Sequence, residues 1–380
     1  HISLHNTTQK RTADFQHSSS EQHTPTTRCT QAHDSSCTHA RTPTPTRTRA
    51  VLPIASRLSL ETFLNLAAQD NIIDATTALA FKDLLNDRAF AIRFKQSLIT
   101  TKNNHKLNKN KIKAPKLINE YFKSSMMEIE DLGSVSFLEF IKQKKNKFKF
   151  YINLIDLIFK LQKLKLKKRI NFKKYKIILK NYNIKELHRE SDLFFDWYLR
   201  NNCKKKNFKN YKVKIKKELN SLYKKLYFQN KCFVHRDFHA SNVMCHKKHF
   251  ALIDSQDALI GNLFYDLVSM IDDVRIKLPS KLKLSLFNYY LKKQKFFKKN
   301  EIHFAKQDFN ILSIQRNLKI LGIFVRLSLR DHKPIYLKLL PYTWSLIELR
   351  LKNPMFNNLK KLLLTAVPKK NRKKIKFYAS

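Results

Sequence analysis

The chain has 380 residues, 76 of them Lys or Arg against 29 Asp or Glu, giving a formal charge of +47 with 43% apolar residues. That apolar fraction excludes a largely disordered chain, and the length admits two lobes around a sizeable core. No run of 18 uncharged apolar residues is present, so no membrane-spanning helix is expected.

Residues 1–50 are rich in Thr, Ser, His and Pro and read as a disordered, low-complexity tail. The opening "HISLHNTTQK" has no initiator Met and no apolar signal core, so it does not read as a secretory signal and fits a fragment, a processed chain or an imperfect gene boundary. Residues 51–112 form a helical segment of uncertain origin, with apolar residues at helical spacing from Leu60 to Phe94. Composition breaks near Thr100: residues 51–100 hold eight alanines and residues 101–380 only seven, while three lysines precede residue 101. A domain boundary or a chimaeric join would both produce that break.

Beyond it, residues 113–134 read as a strand, a turn, a second strand and a polar linker. Helices are expected over 150–164, 190–201 and 216–228. Next come the short strand "CFVH", a polar loop and the strand pair "NVMCH" and "FALID". Residues 262–365 read as helices, and "PKKNRKKIKFY" belongs to a solvated basic tail spanning 366–380. The five cysteines are odd in number and scattered, which fits a reducing compartment and a cytoplasmic protein.

The charge invites a polyanionic partner. The blander reading weighs more. From residue 102 onward the chain is crowded with Lys, Asn, Ile, Phe and Tyr, the residues of AT-rich codons. No nucleic-acid-binding motif or aromatic–basic repeat is present, so no nucleic-acid partner is expected, although a basic nucleic-acid-binding protein stays a second alternative.

The stretch "CFVHRDFHASNVM" (232–244) concentrates the polar chemistry between apolar flanks. Phosphoryl transfer needs a carboxylate beside the attacking hydroxyl and oxygen ligands for the magnesium that bridges nucleotide phosphates. Asp237, Asn242 five residues on, and Asp254 after the next strand pair supply that set, on short strands that would hold it rigid.

On these residues the chain resembles the aminoglycoside phosphotransferase superfamily. The position two after the aspartate is His239, as in its small-molecule branch, and "IDSQDALIGNLFYDL" is similar to that branch's I-D-x-x-x-A-x-x-G-x-x-x-Y-D-L pattern. "MMEIEDLGSVSFLEFI", "LFFDWYL" and "QRNLKILGIFVRLSLRDHKPIYLKLLP" resemble a bacterial subgroup that includes cell-wall amino-sugar kinases acting on N-acetylmuramate and N-acetylglucosamine. The likeness covers roughly residues 113–355, within a phosphotransferase domain set at 113–365. It implies an α+β, two-lobed, protein-kinase-like fold with a mainly helical C-terminal lobe and a reduced or atypical N-terminal lobe. It also implies an ATP- and Mg2+-dependent kinase of a small-molecule amino sugar. Asp237 would be the catalytic base or hydroxyl-orienting carboxylate, with His239 near the transferred phosphate. Asn242 and Asp254 would hold magnesium, Asp266 would support the loop, and Glu130, Asp131 and Leu132 would meet the adenine.

The chain departs from the family upstream. Its only glycines are Gly133, Gly261 and Gly322, so a G-x-G-x-x-G phosphate loop is impossible. Lys95, ending "FAIRFK", is faintly like the nucleotide-pairing lysine of a strand, within a helical pattern. Ser255 stands where related chains more often carry an aromatic residue. A non-catalytic pseudokinase or fragment is therefore the first alternative.

Cys232, His235, His239, Cys245, His246 and His249 could also be read as a zinc cluster. That reading leaves Asp237, Asn242 and Asp254 unexplained, and the cysteines read better as small core residues. Trp197 could stack on a sugar, but aromatics at helical spacing are more often core. Arg189 and Glu190 match the subgroup pattern without an assignable role. An arginine among Arg316, Arg326 and Arg330 could hold a substrate carboxylate, although a structural salt bridge to Asp331 or Glu348 is the plainer use.

Overall fold

The computed structural model describes residues 49–53, 88–121, 126–165, 169–172, 175–246, 249–294 and 297–373. Most of the low-complexity tail, residues 54–87 of the helical segment and the last seven residues of the basic tail lie outside them.

A three-stranded antiparallel sheet joins residues ahead of position 113 to the start of the 113–365 region. β1 (Arg49–Pro53) and β2 (Leu117–Tyr121) flank β3 (Met126–Glu130), with Arg49 opposite Glu130 and Leu117 opposite Ile129. β1 crosses the boundary expected at residue 50. Helix α1 (Arg88–Lys109) lies between β1 and β2 in the chain. Both strands and the linker expected over 113–134 are therefore present, with a long helix ahead of them, while the turn expected at 122–125 lies outside the described residues.

The remainder is mainly helical, giving an α+β fold. α2 (Phe137–Lys142) starts with a capping box in which Ser136 and Glu139 satisfy each other's backbone N–H. α3 (Lys147–Gln162) buries Tyr151, Leu154, Ile155, Leu157, Ile158, Phe159 and Leu161, so both of its faces meet core, as its apolar pattern required. α4 (Ile184–Leu193) runs into a π-helical turn, Phe194–Leu199, whose Phe194, Phe195, Tyr198 and Leu199 are buried. α5 (Lys205–Lys224) begins eleven residues earlier than expected, because Phe208, Tyr211 and Ile215 keep helical spacing among the lysines that obscured it.

Two strand pairings went unrecognised. β4 (Arg169–Phe172) pairs with β5 (Tyr175–Ile178) inside a lysine-rich run. β6 (Cys232–Val234) pairs with β9 (Leu259–Gly261), a strand of only three residues. The expected pair β7 (Val243–His246) and β8 (His249–Leu252) is antiparallel, with Val243 opposite Leu252.

Helices α6 (Tyr265–Ile271), α7 (Ser280–Lys293), α8 (Ile302–Leu329), α9 (Leu340–Arg350) and α10 (Asn357–Ala366) complete the core. α8 is the central one, buried on all sides from Ile311 to Gly322. At its crossing with α4, a Cβ on Gly322 would stand 2.2 Å from the Leu193 carbonyl, so only glycine fits.

The basic tail starts differently from expectation. Lys369–Lys373 form α11, a short helix. Buried Asn371 donates to the Asn202 carbonyl at 3.1 Å, and Arg372 pairs with Glu348 and lies over Trp344. An apolar face hidden among like charges escapes a charge-based reading. Among the described residues no helix is long and apolar enough to cross a membrane.

Candidate active site

The loop 235–242 joins β6 to β7, and two aspartates brace its backbone. Asp266 on α6 accepts from the His235 N–H at 2.8 Å and the Arg236 N–H at 3.0 Å. The second bond holds Arg236 in a left-handed conformation, φ 75°, that an arginine rarely adopts unaided. Asp266 thus has the supporting place expected of it, and burial pushes its carboxyl up to about 7. Asp273 accepts from the Ala240 N–H at 2.9 Å and from Arg275. Gly261 lets β9 approach β6, since a Cβ there would meet the Val234 side chain at 2.8 Å.

Glu190 on α4 is the hub beneath the loop. Its carboxylate accepts from Arg236 Nε at 2.6 Å, Lys319 Nζ at 2.8 Å, Gln315 Nε2 at 3.0 Å and Tyr265 Oη at 3.1 Å, and from Tyr182 Oη. Burial alone would raise its pKa, but Lys319 and Arg236 outweigh that and hold it down at about 2. Neither Glu190 nor Asp273 was assignable from the sequence. The signal was an acidic residue at the end of an amphipathic helix, whose partners lie up to 129 positions away.

Asp237 and Asn242 sit on the same loop turn. Asn242 donates its Nδ2 to the Asp237 carbonyl at 3.1 Å, and its own carbonyl accepts from the Ile253 N–H at 3.1 Å, which ties it to the residue before Asp254. Burial opposes the charge of Asp237, yet Lys319, Arg236 and Arg316 overcome it and hold the pKa at about 2, so the group is a carboxylate at neutral pH. Asp254 occupies a left-handed conformation, φ 66°, ψ 42°. Its pKa is raised by burial, against the hydrogen bond it accepts from Gln256 Nε2 at 3.1 Å, and further by the neighbouring charge of Asp237. His239 is neutral: burial, then Arg275, drives its pKa down to about 3, and its buried Nδ1 has no hydrogen-bond partner. His235 is buried and neutral beneath the loop.

The donors fit a divalent cation. Asn242 commits its amide nitrogen to backbone, which leaves its oxygen as the acceptor, and Asp254 adds a desolvated carboxylate whose repulsion with Asp237 a cation would relieve. The zinc reading finds no such support. Among the described residues no three His, Cys, Asp or Glu side chains form a group able to hold a metal, and Cys203, Cys232 and Cys245 are free thiols.

The linker Glu130–Asp131–Leu132 lies against the β7–β8 hairpin. Cys245 N–H donates to the Val135 carbonyl, His246 Nδ1 lies 3.3 Å from the Leu132 carbonyl, and Asp131 Oδ1 accepts from the Gly133 N–H at 2.8 Å. Glu130 is tied down by Lys113. Adenine bound through the Leu132 carbonyl or the Gly133 N–H would have to replace those bonds.

Lys95 falls within α1, so it does not end a strand, and the helical periodicity of its surroundings prevails over the strand likeness. The same helix meets the segment after Asp254: Asn103 Nδ2 donates to the Ser255 carbonyl at 2.6 Å, Ser255 Oγ to Asn104 Oδ1 at 2.9 Å, and Thr100 Oγ1 to Gln256 Oε1 at 3.1 Å. Ser255, unusual for the resemblance, is thereby buried and bonded. Trp197 packs partly buried against the core, and Arg330 pairs with Asp331 at the surface.

The sequence of residues 142–300 matches the family model described as a phosphotransferase enzyme family. The chain is also similar to two curated proteins named N-acetylmuramate/N-acetylglucosamine kinase. The protein from Pseudomonas aeruginosa is 26% identical over 62% of this chain and 68% of its own length. That from Neisseria meningitidis serogroup B is 27% identical over 59% of this chain and 66% of its own. The chain thus spans about two thirds of the length of these relatives. A choline/ethanolamine kinase family protein from Mesorhizobium loti superposes with a TM-score of 0.46 at 11% identity, over 70% of this chain and 82% of that one.

Proposed function

We propose that the protein transfers a phosphoryl group from ATP, with Mg2+, to a hydroxyl of a small amino sugar. The observation that carries this reading is that ionised Asp237, bonded through its carbonyl to the Asn242 amide, bears on the charge of buried Asp254. In that reading Asn242 and Asp254 hold the magnesium, which would neutralise charge on the nucleotide phosphates when bound. Asp237 orients the sugar hydroxyl. As the oxygen–phosphorus bond to ADP breaks and the bond to the sugar forms, the hydroxyl proton leaves towards Asp237. With a pKa of about 2, Asp237 is a weak base, so its work is mostly orientation. Neutral His239 contributes a hydrogen bond and no charge. The substrate class rests on the two amino-sugar kinases to which the chain is similar.

Full-length protein with Mg-ATP and N-acetylmuramate or N-acetylglucosamine tests the reading by phosphosugar formation. Turnover of either sugar that disappears in Asp254→Ala is the expected result. Stabilisation by Mg-ATP, read as a rise in Tm, accompanies it because nucleotide binds the folded state.

One observation favours a second reading. Helix α1, which touches the segment after Asp254, carries no Asp or Glu, so the lysine–glutamate pair of protein kinases cannot form there. A folded chain with no Tm response to Mg-ATP and no turnover would make it a non-catalytic pseudokinase.

A further inference from the structure

Three side chains that carry permanent positive charge act on the Asp237 carboxylate: Lys319, Arg236 and Arg316. Two are committed elsewhere. Arg236 and Lys319 converge on Glu190 Oε1, at 2.6 and 2.8 Å. Arg316 differs. It lies on α8 one residue after Gln315 and one turn before Lys319, both of which bond Glu190, so this stretch of α8 is pinned to α4 at the residue that also holds Arg236 of the loop. Arg316 is 4% exposed, and its buried Nη1 has no hydrogen-bond partner. Its charge is felt by Asp237, His239 and Asp266, yet no ion pair joins it to any of them among the described residues.

A buried guanidinium is strongly unfavourable without an anion to complete it. Its planar fork matches the two oxygens of a carboxylate or phosphate better than a point charge does. Other arginines of the late helices do have anionic partners: Arg330 is bound to Asp331 at the surface, and Arg350 pairs with buried Asp272. The geometry points to Arg316 as the oxyanion receptor of the active site, taking two oxygens of an anionic group that lies beside Asp237 in the ligand-bound protein. Two groups in the proposed reaction have that chemistry: the carboxylate of an acidic sugar, and the phosphoryl group in transfer. The inference rests on the kinase reading for its location, but its chemistry is separately testable.

The full chain and Arg316→Gln are compared with N-acetylmuramate, which carries a carboxylate, and with N-acetylglucosamine, which does not. A carboxylate receptor loses about 100-fold in kcat/KM for N-acetylmuramate alone, mostly through KM. A phosphoryl receptor loses a similar factor for both sugars, through kcat. Equal kinetics of Arg316→Gln and wild type on both sugars overturns the inference. If Arg316→Gln does not fold, Arg316→Lys keeps the charge and lacks the fork. It should lose about 10-fold in the same parameter, and full activity in it is equally fatal.

If the wild type turns over neither sugar, the proposed substrate fails, and inorganic phosphate becomes the probe. Phosphate then raises the Tm of the wild type and not of Arg316→Lys. An identical response of the two proteins, or none in the wild type, overturns the receptor role.

Discussion

The two sides of the 235–242 loop are built by opposite rules. Beneath it, Asp266, Asp273 and Glu190 each accept two or more hydrogen bonds, and Glu190 alone joins α4, α6, α8 and the loop. On the other side, His239 keeps a bare ring nitrogen, Arg316 a bare guanidinium nitrogen, and Asp254 faces a like charge. Structure explains every bond of the first set and leaves the second incomplete. Beneath the loop the exception is His235, whose two buried ring nitrogens have no partner, and unfilled hydrogen-bonding capacity beside the bonded carboxylates marks where a ligand would complete the protein.

That contrast can be broken from either side. The largest effect on activity is expected from Asp237→Ala, which removes the group proposed to orient the acceptor while leaving the frame intact. Turnover should fall about 1,000-fold with an unchanged Tm; retained turnover would remove Asp237 from the mechanism.

Glu190→Gln attacks the frame instead. It leaves Lys319 buried without its carboxylate partner and Arg236 with only Asp257 at 3.6 Å, a loss of about 3–5 kcal/mol in unfolding free energy by denaturant titration. The pH dependence carries a sign. Glu190 has a folded pKa of about 2, below its unfolded value, so its contribution is present above pH 4.5 and is lost as pH falls towards 2. The gap between wild type and Glu190→Gln should therefore narrow in acid, and a gap that widens would contradict the network.

Asp254→Asn sharpens the comparison. It keeps the shape and removes the like-charge repulsion, so the apo protein should hold or gain stability while the Mg2+ dependence of ATP binding weakens. A calorimetric titration of Mg-ATP shows this directly. The smallest effect is expected from Ser255→Ala, which removes the bond to Asn104 and costs about 1–3 kcal/mol through the unpaired amide oxygen. An unchanged Tm there would mean that α1 holds the segment through Asn103 and Thr100 alone.

The working side was the legible one. Asp237, His239, Asn242 and Asp254 lie within 18 positions, and short apolar strands announce the hairpin between them. Asp266 was legible through the Y-D-L pattern of the resemblance. The supporting side was not, because its partners are dispersed: Glu190 is 46 residues from Arg236 and 129 from Lys319. No local periodicity encodes a carboxylate shared by two cations. Lysine enrichment hid the rest, masking the start of α5, the β4–β5 hairpin and the docking of α11, where long basic side chains cover apolar contacts. Strand β9 was illegible for a different reason, since a three-residue strand is shorter than any period that could reveal it.

The contact between Gly322 and Leu193 makes the helix crossing a lever. Gly322 lies three residues after Lys319 on α8, and Leu193 three residues after Glu190 on α4, so the point where the two backbones touch is one turn from the ion pair that joins them. A methyl group at 322 would wedge the helices apart there and draw Lys319 and Gln315 off Glu190. Arg236, with its left-handed backbone, would lose its anchor in turn. The alignment of a loop 80 residues upstream is thus set by the lack of one carbon atom.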